Sequence, residues 1–251
     1  MGILDLFSKQ RRTERARAGR IKGVMNKYAQ SADRFRDLQA LRDDGSEEAL
    51  YGLMRRFGMM YDKTIEDEQE KDWVFEVLVE KGITILPSLK RYLISAESIS
   101  WPLRLLDKVA DREVELAALQ DILERHEPGY ERDPTKKIQL LNHLADLKDP
   151  RVPPLVAPYL ADMDEGVRYA AVESLVRQAD PSAAAPLLDQ LTKAEEDSLR
   201  VRLQIADGFA DLGWSVPAAK RDAVMKFLPD QFKLAKDGQQ ERIVKKNQGK
   251  E

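Results

Sequence analysis

The side chains capable of chemistry in this chain are dispersed. His126 and His143 sit on separate expected helices, not as the pair on one helix face that a two-histidine metal site uses, so each reads as a surface or interface residue. Carboxylates are plentiful. The runs Glu66-Asp67-Glu68 and Glu195-Glu196-Asp197 fall where helices should begin, where negative charge complements the helix dipole, and they read as solvated helix starts. No Gly-rich phosphate loop and no Gly-x-Ser-x-Gly elbow occurs. The absence of cysteine excludes disulfides and thiolate metal ligands. These observations give the expectation of a non-enzyme with no cofactor and no metal site.

The elements that carry these residues are helical. Apolar residues recur at three- and four-residue spacing, and no sustained alternation of period two appears. The spacing predicts helices over 12–28, 31–42, 46–62, 66–81, 83–96, 101–110, 112–126, 134–147, 150–161, 165–178, 181–191, 197–211 and 217–228. Asp133-Pro134, Asp149-Pro150 and Asp180-Pro181 each join a capping acid to a proline at the first helical position, where proline is tolerated because that N–H has no intrahelical partner. Ser100 before Trp101-Pro102 reads the same way. Gly45, Gly82 and Gly213 fall near helix ends, where glycine takes the left-handed cap conformation. Short connections imply antiparallel helix pairs.

Charge divides the chain. The net charge is −3, yet residues 1–30 carry +6 and residues 231–251 carry +3, which leaves −12 on the 200 residues between them. An acidic body disfavours nucleic acid, whereas basic ends suit anionic surfaces. No apolar run approaches the roughly 18 residues of a transmembrane helix. The N-terminus places apolar residues before basic ones, the reverse of a secretory signal. The expected location is the cytoplasm, with membrane association as the alternative.

An internal repeat organises the helices. Placing Asp149-Pro150 over Asp180-Pro181, an offset of 31, sets Leu160 on Leu191; the same offset sets Leu144 on Leu175 and Lys137 on Arg168. One extra residue sets Val167-Arg168 on Leu199-Arg200. The stretch from Tyr159 to Leu175 has an Asp162 turn, Val167-Arg168, an Ala170-Ala171 pair and a closing Leu175. It resembles the turn and second helix of a HEAT repeat, and the short period is similar to the HEAT-like repeats of phycobilin lyases. The unit over 181–213 departs from that pattern, with Ala194 where the turn aspartate should stand. The resemblance implies an all-α fold, an α-solenoid of stacked antiparallel helix pairs, with a ladder of Asp162 and Arg168 tying one repeat turn to the next. The chain divides into a basic N-terminal segment (1–30), the solenoid (31–230) and a polar, disordered tail (231–251).

Second helices of HEAT units line the concave face. Matching positions puts Ile138, Tyr169 and Val201 in one rank there, with Asn142 and Glu173, then Asp146 and Arg177, in the next two, a mixed strip suited to a protein or peptide partner. The resemblance to HEAT-like folds also admits alkyl-purine DNA glycosylases, which set aromatic side chains and a carboxylate in a basic groove; Trp73, Trp101 and Trp214 with Asp72 or Asp107 are the candidates, against which core packing is the favoured reading. At the N-terminus, Ile3, Leu4, Leu6 and Phe7 precede Lys9, Arg11, Arg12, Arg15, Arg17, Arg20, Lys22 and Lys27. This pattern could dip into an anionic membrane, or it could cap the solenoid end. The expected function is a non-catalytic protein–protein interaction scaffold or adaptor of unspecified oligomeric state. The alternatives are a lyase-like or glycosylase-like enzyme on the same fold, or a peripheral membrane protein anchored by its N-terminus.

Overall fold

The computed structural model describes residues 3–60 and 62–246, with the side chains of residues 3–8 and of Asp237 left undescribed. The chain forms two compact units, residues 1–122 and 123–251. Each consists mainly of short-connected helices stacked in pairs, the architecture of an α-solenoid.

The first unit contains α1 (Ile3–Val24), α2 (Ser31–Asp44), α3 (Glu47–Met54), α4 (Thr64–Lys81), α5 (Leu86–Ser95), α6 (Ser100–Val109) and most of α7 (Arg112–Leu123). Leu38, Leu41, Leu53, Leu78, Leu89 and Leu106 are fully buried. Their helical spacing is what the sequence periodicity reports. The end of α1 is part of this core: Ile21 and Val24 are buried against α2 and α3. Gly52 permits that approach, since a Cβ there would lie 2.6 Å from Ile21 Cγ1. Trp101 stacks on Phe57 at 5.5 Å and meets Phe75 edge-on, and Trp73 packs on Phe35 at 4.9 Å. Both tryptophans are packing residues, and Asp72 and Asp107 are exposed. Ser100 does not cap α6; it is the first helical residue, and Ile99 occupies the cap position.

One acidic run corrects its sequence reading here. Asp67 is buried, not solvated, because the three-residue run wraps the helix and turns one member inward. Arg56 Nη2 donates to Asp67 Oδ1 at 2.7 Å and Arg56 Nε to Glu70 Oε2 at 2.8 Å. Arg34 forks onto Glu70 at 2.7 and 2.8 Å, and Lys71 donates to Asp67. Burial pushes the Glu70 carboxyl up, but hydrogen bonds from Arg34 and Arg56 outweigh it and hold the group below the usual glutamate range. Asp67 is lowered in the same way by Lys71 and Arg56.

The second unit contains α8 (Thr135–Asp146), α9 (Val152–Val156), α10 (Glu165–Gln178), α11 (Ala184–Leu191), α12 (Leu199–Leu212) and α13 (Arg221–Phe227). α8, α10 and α12 form one row, in which α10 packs on both neighbours. α9 with its following 3-10 turn, then α11 and α13, form the other row. Asp133, Asp149 and Asp180 each accept the amide two residues on, at 2.8–3.0 Å, which makes the three Asp-Pro steps turns of one kind. Only Asp180 is a cap with its proline first in the following 3-10 turn, whereas Pro134 itself holds the cap position of α8 and α9 starts two residues after Pro150. Ala170, Ala171, Leu175, Ile205 and Phe209 are buried between the rows. Trp214 meets Phe209 edge-on at 5.3 Å, so it too is a packing residue.

The C-terminal segment differs from its expected disorder. Residues Phe232–Asp237 (β2) and Gln240–Lys245 (β3) form an antiparallel hairpin, and β3 also pairs with Ser215–Val216 (β1). Gly238, with φ 61°, opens a two-residue turn whose first position needs positive φ. The last helix pair has no following repeat, and the hairpin covers it: β3 packs on α12, with Ile243, Phe232 and Val216 buried. Lys245 ties the sheet to Asp207 and Asp211 at 2.9 and 3.0 Å.

Candidate functional site

The charged residues of the second unit are arranged between repeats. Lys137 Nζ on α8 donates to Asp162 Oδ2 at 2.8 Å, with both side chains shielded from water. Asp162 also accepts the Gly129 amide at 3.0 Å and the Asp164 amide at 2.9 Å. One repeat later, Arg168 on α10 grips Glu196 through two bonds of 2.9 and 3.0 Å. Burial pushes the Glu196 carboxyl up, but bonds from Arg168, the Ser198 amide and Gln190 dominate and hold it below the ordinary range. The Glu196 bond in turn raises Arg168. The expected ladder therefore exists with different rungs. Each cation reaches the acid of the following turn, and Arg168 touches Asp162 only at its backbone oxygen, at 3.1 Å.

Glu196 also corrects its sequence reading, since it is 2% exposed. It occupies the role that Ala194 left empty, because the turn before α12 is longer. The second helices α10 and α12 correspond at an offset of 34, not 32: Asp164 and Ser198 both cap, onto Val167 and Val201, and Ala179 and Gly213 both end their helices with positive φ. The matching third cation is Arg202. Beyond α12 the repeats stop, and its guanidinium lies over the Phe227 ring at 4.7 Å.

That register settles where the expected partner-binding residues lie. Asn142 and Arg177 are exposed, while Ile138, Tyr169 and Glu173 are half-buried. Arg177 is paired with Asp146. Tyr169 is held between the Arg200 guanidinium, 3.7 Å from its ring, and Gln204, 3.3 Å from its hydroxyl. Val201 is fully buried and does not belong to the face. The shift of two residues turned it inward, and Arg200 and Gln204 stand beside Tyr169 instead. The capping residues Asp164 and Ser198 were the signal that could have set this register from sequence.

The other expected site is α1. Arg17 binds Asp44 at 2.9 and 3.2 Å, and beyond it the helix packs into the core. Every residue from Lys9 to Ala16 is exposed. Arg11 and Arg12 are thus at the surface with Lys9 and Arg15, and none of the four forms an ion pair among the described residues. The backbone of residues 3–8 continues the helix; the calls on Ile3, Leu4, Leu6 and Phe7 lie outside the described side chains. No described helix is long and apolar enough to cross a membrane.

The stacked helix pairs and their turn ladder define a helical-repeat protein. Residues 116–206 match the family model for HEAT repeats, and this stretch is HEAT-repeat sequence. No curated protein matches the chain. Among solved structures, the chain is similar to human deoxyhypusine hydroxylase in complex with glycerol, with a TM-score of 0.33 and 15% identity, covering 88% of this chain and 92% of that one. That neighbour is an enzyme, and the expectation of a non-catalytic scaffold is withdrawn on its account. A likeness of this degree transfers no activity, substrate or residue.

Proposed function

We propose that the chain is a peripheral membrane protein that holds its HEAT repeats at an anionic lipid surface through α1. The reading rests on the division of that helix. Its C-terminal part is built into the first unit, while its N-terminal part presents Lys9, Arg11, Arg12 and Arg15 to solvent within about two turns. Each such cation near an anionic surface adds about 1 kcal/mol of attraction, which salt screens. Ile3, Leu4, Leu6 and Phe7 supply the second, salt-resistant signal that stable anchoring requires. The acidic remainder of the chain is repelled by the same surface, which favours approach by α1 first.

Co-sedimentation of the full chain with vesicles tests this. Vesicles of phosphatidylcholine with phosphatidylserine should retain the protein, and phosphatidylcholine alone should not. Replacing Lys9, Arg11, Arg12 and Arg15 by Gln should cut retention to the part that high salt leaves in the wild type, without changing the melting temperature, since all four are exposed. Equal sedimentation of the wild type and this variant at low salt would overturn the reading.

A further inference from the structure

The first unit holds a cleft of about 600 Å³ that α1 docking does not use. Its aromatic wall is pre-arranged. The rings of Tyr51 and Tyr92 meet edge to face with centroids 6.0 Å apart. Arg91 lies 3.8 Å from the centre of the Tyr51 ring and is itself clamped by Glu48 through bonds of 2.6 and 3.1 Å. The Tyr51 hydroxyl is 3.2 Å from Ser95 Oγ. Neither ring is free to swing into the cleft and fill it.

The floor is set by Tyr92 and Gly58. The Gly58 backbone hydrogen-bonds the Tyr92 oxygen, and a Cβ at Gly58 would stand 3.0 Å from that oxygen. Tyr92 is buried and remains a neutral donor, its hydroxyl pushed up to about 12 chiefly by burial. Among the described residues no acceptor takes its proton.

The charges complete the pattern. Arg55 and Glu97 both line the cleft. Neither side chain forms an ion pair or hydrogen bond among the described residues, with each other or with a third group. An unpaired guanidinium and an unpaired carboxylate lining one cleft with an aromatic wall match a ligand that carries both charges and an apolar body.

We propose that this cleft binds a free amino acid with an apolar side chain, in its zwitterionic form. Arg55 receives the α-carboxylate with the Tyr92 hydroxyl as a second donor, Glu97 receives the ammonium, and the side chain lies on Tyr51 and Tyr92. Arg55 is suited to the carboxylate because its planar fork matches that group.

Calorimetric titration of the full chain tests the assignment, with L-phenylalanine and L-leucine as probes. Two comparators are 3-phenylpropionate, which lacks the ammonium, and phenethylamine, which lacks the carboxylate. The amino acids should bind with a dissociation constant of about 1 mM or tighter, and each comparator should bind at least about tenfold more weakly. Arg55→Gln and Glu97→Gln should each cost about tenfold for L-phenylalanine, and circular dichroism melts should stay unchanged because both side chains are exposed. The proposal fails if neither amino acid binds in that range. It also fails if a comparator binds as well as L-phenylalanine, or if the two variants bind it undiminished.

Discussion

Lys137 on α8 and Asp162 in the turn before α10 form a buried ion pair at 2.8 Å that joins consecutive repeats. The partners are not equivalent. Lys137 has the Gly129 carbonyl as a second acceptor at 2.9 Å, while Asp162 alone satisfies the amides of Gly129 and Asp164. Asp162→Ala should therefore destabilise the protein by about 3–5 kcal/mol, since it strands two amides and leaves the buried Lys137 with only the Gly129 carbonyl and the more distant Glu131 carboxylate at 3.7 Å. Lys137→Met, which leaves the amide bonds in place and fills similar volume, should cost less. Urea unfolding of both variants checks the order, and an equal loss would show that the amides contribute nothing.

Leu175 is fully buried at the contact of the two rows in the second unit. Its truncation to Ala should cost about 2–5 kcal/mol. A loss below about 0.5 kcal/mol would place it outside the core and break the 31-residue correspondence with Leu144.

Gly208 on α12 is a packing residue: a Cβ there would stand 2.4 Å from Val176 Cγ2 on α10. Gly208→Ala should destabilise by about 1–3 kcal/mol from overpacking, less up to about 1 kcal/mol returned by the helix propensity of alanine. Val176→Ala in the same chain should reverse the loss. A double-mutant cycle with zero coupling would contradict the close approach.

Ala179 ends α10 in the left-handed region at φ 56°, where Gly213 ends α12. A side chain costs about 1–2 kcal/mol there. Ala179→Gly should therefore raise stability by about 0.5–1 kcal/mol, the remainder being lost to the freer unfolded chain. Thermal melts measure this, and an unchanged or lower midpoint would refute it.

Glu196 gives a pH dependence of known sign. Its folded carboxyl titrates below its unfolded value, so its contribution is complete above the ordinary glutamate range and is lost as pH falls through the depressed folded value. Glu70 and Asp67 act in the same direction in the first unit. Urea midpoints measured from neutral to acidic pH should fall more steeply for the wild type than for Glu196→Gln, which should start less stable and vary less. Parallel curves would remove Glu196 from the acid response.

The sequence by itself determined the helices and their pairing. The three Asp-Pro steps, the glycines after α2 and α12 and the apolar spacing are local instructions, read by backbone sterics and by burial of one helix face. Tertiary structure decided what local rules leave open. Asp67 and Glu196 look like solvated helix starts until the fold brings Arg56 and Arg168, 11 and 28 residues away, against them and buries the two carboxylates. Val201 looks like part of a binding face until the longer turn before α12 rotates it inward. The hairpin of β2 and β3 has modest strand signals of its own, and its position follows from the face that α12 would otherwise leave uncovered. Charge pairing, helix rotation and end-capping each depend on a distant partner, and a single chain does not state which distant residue its neighbour will be.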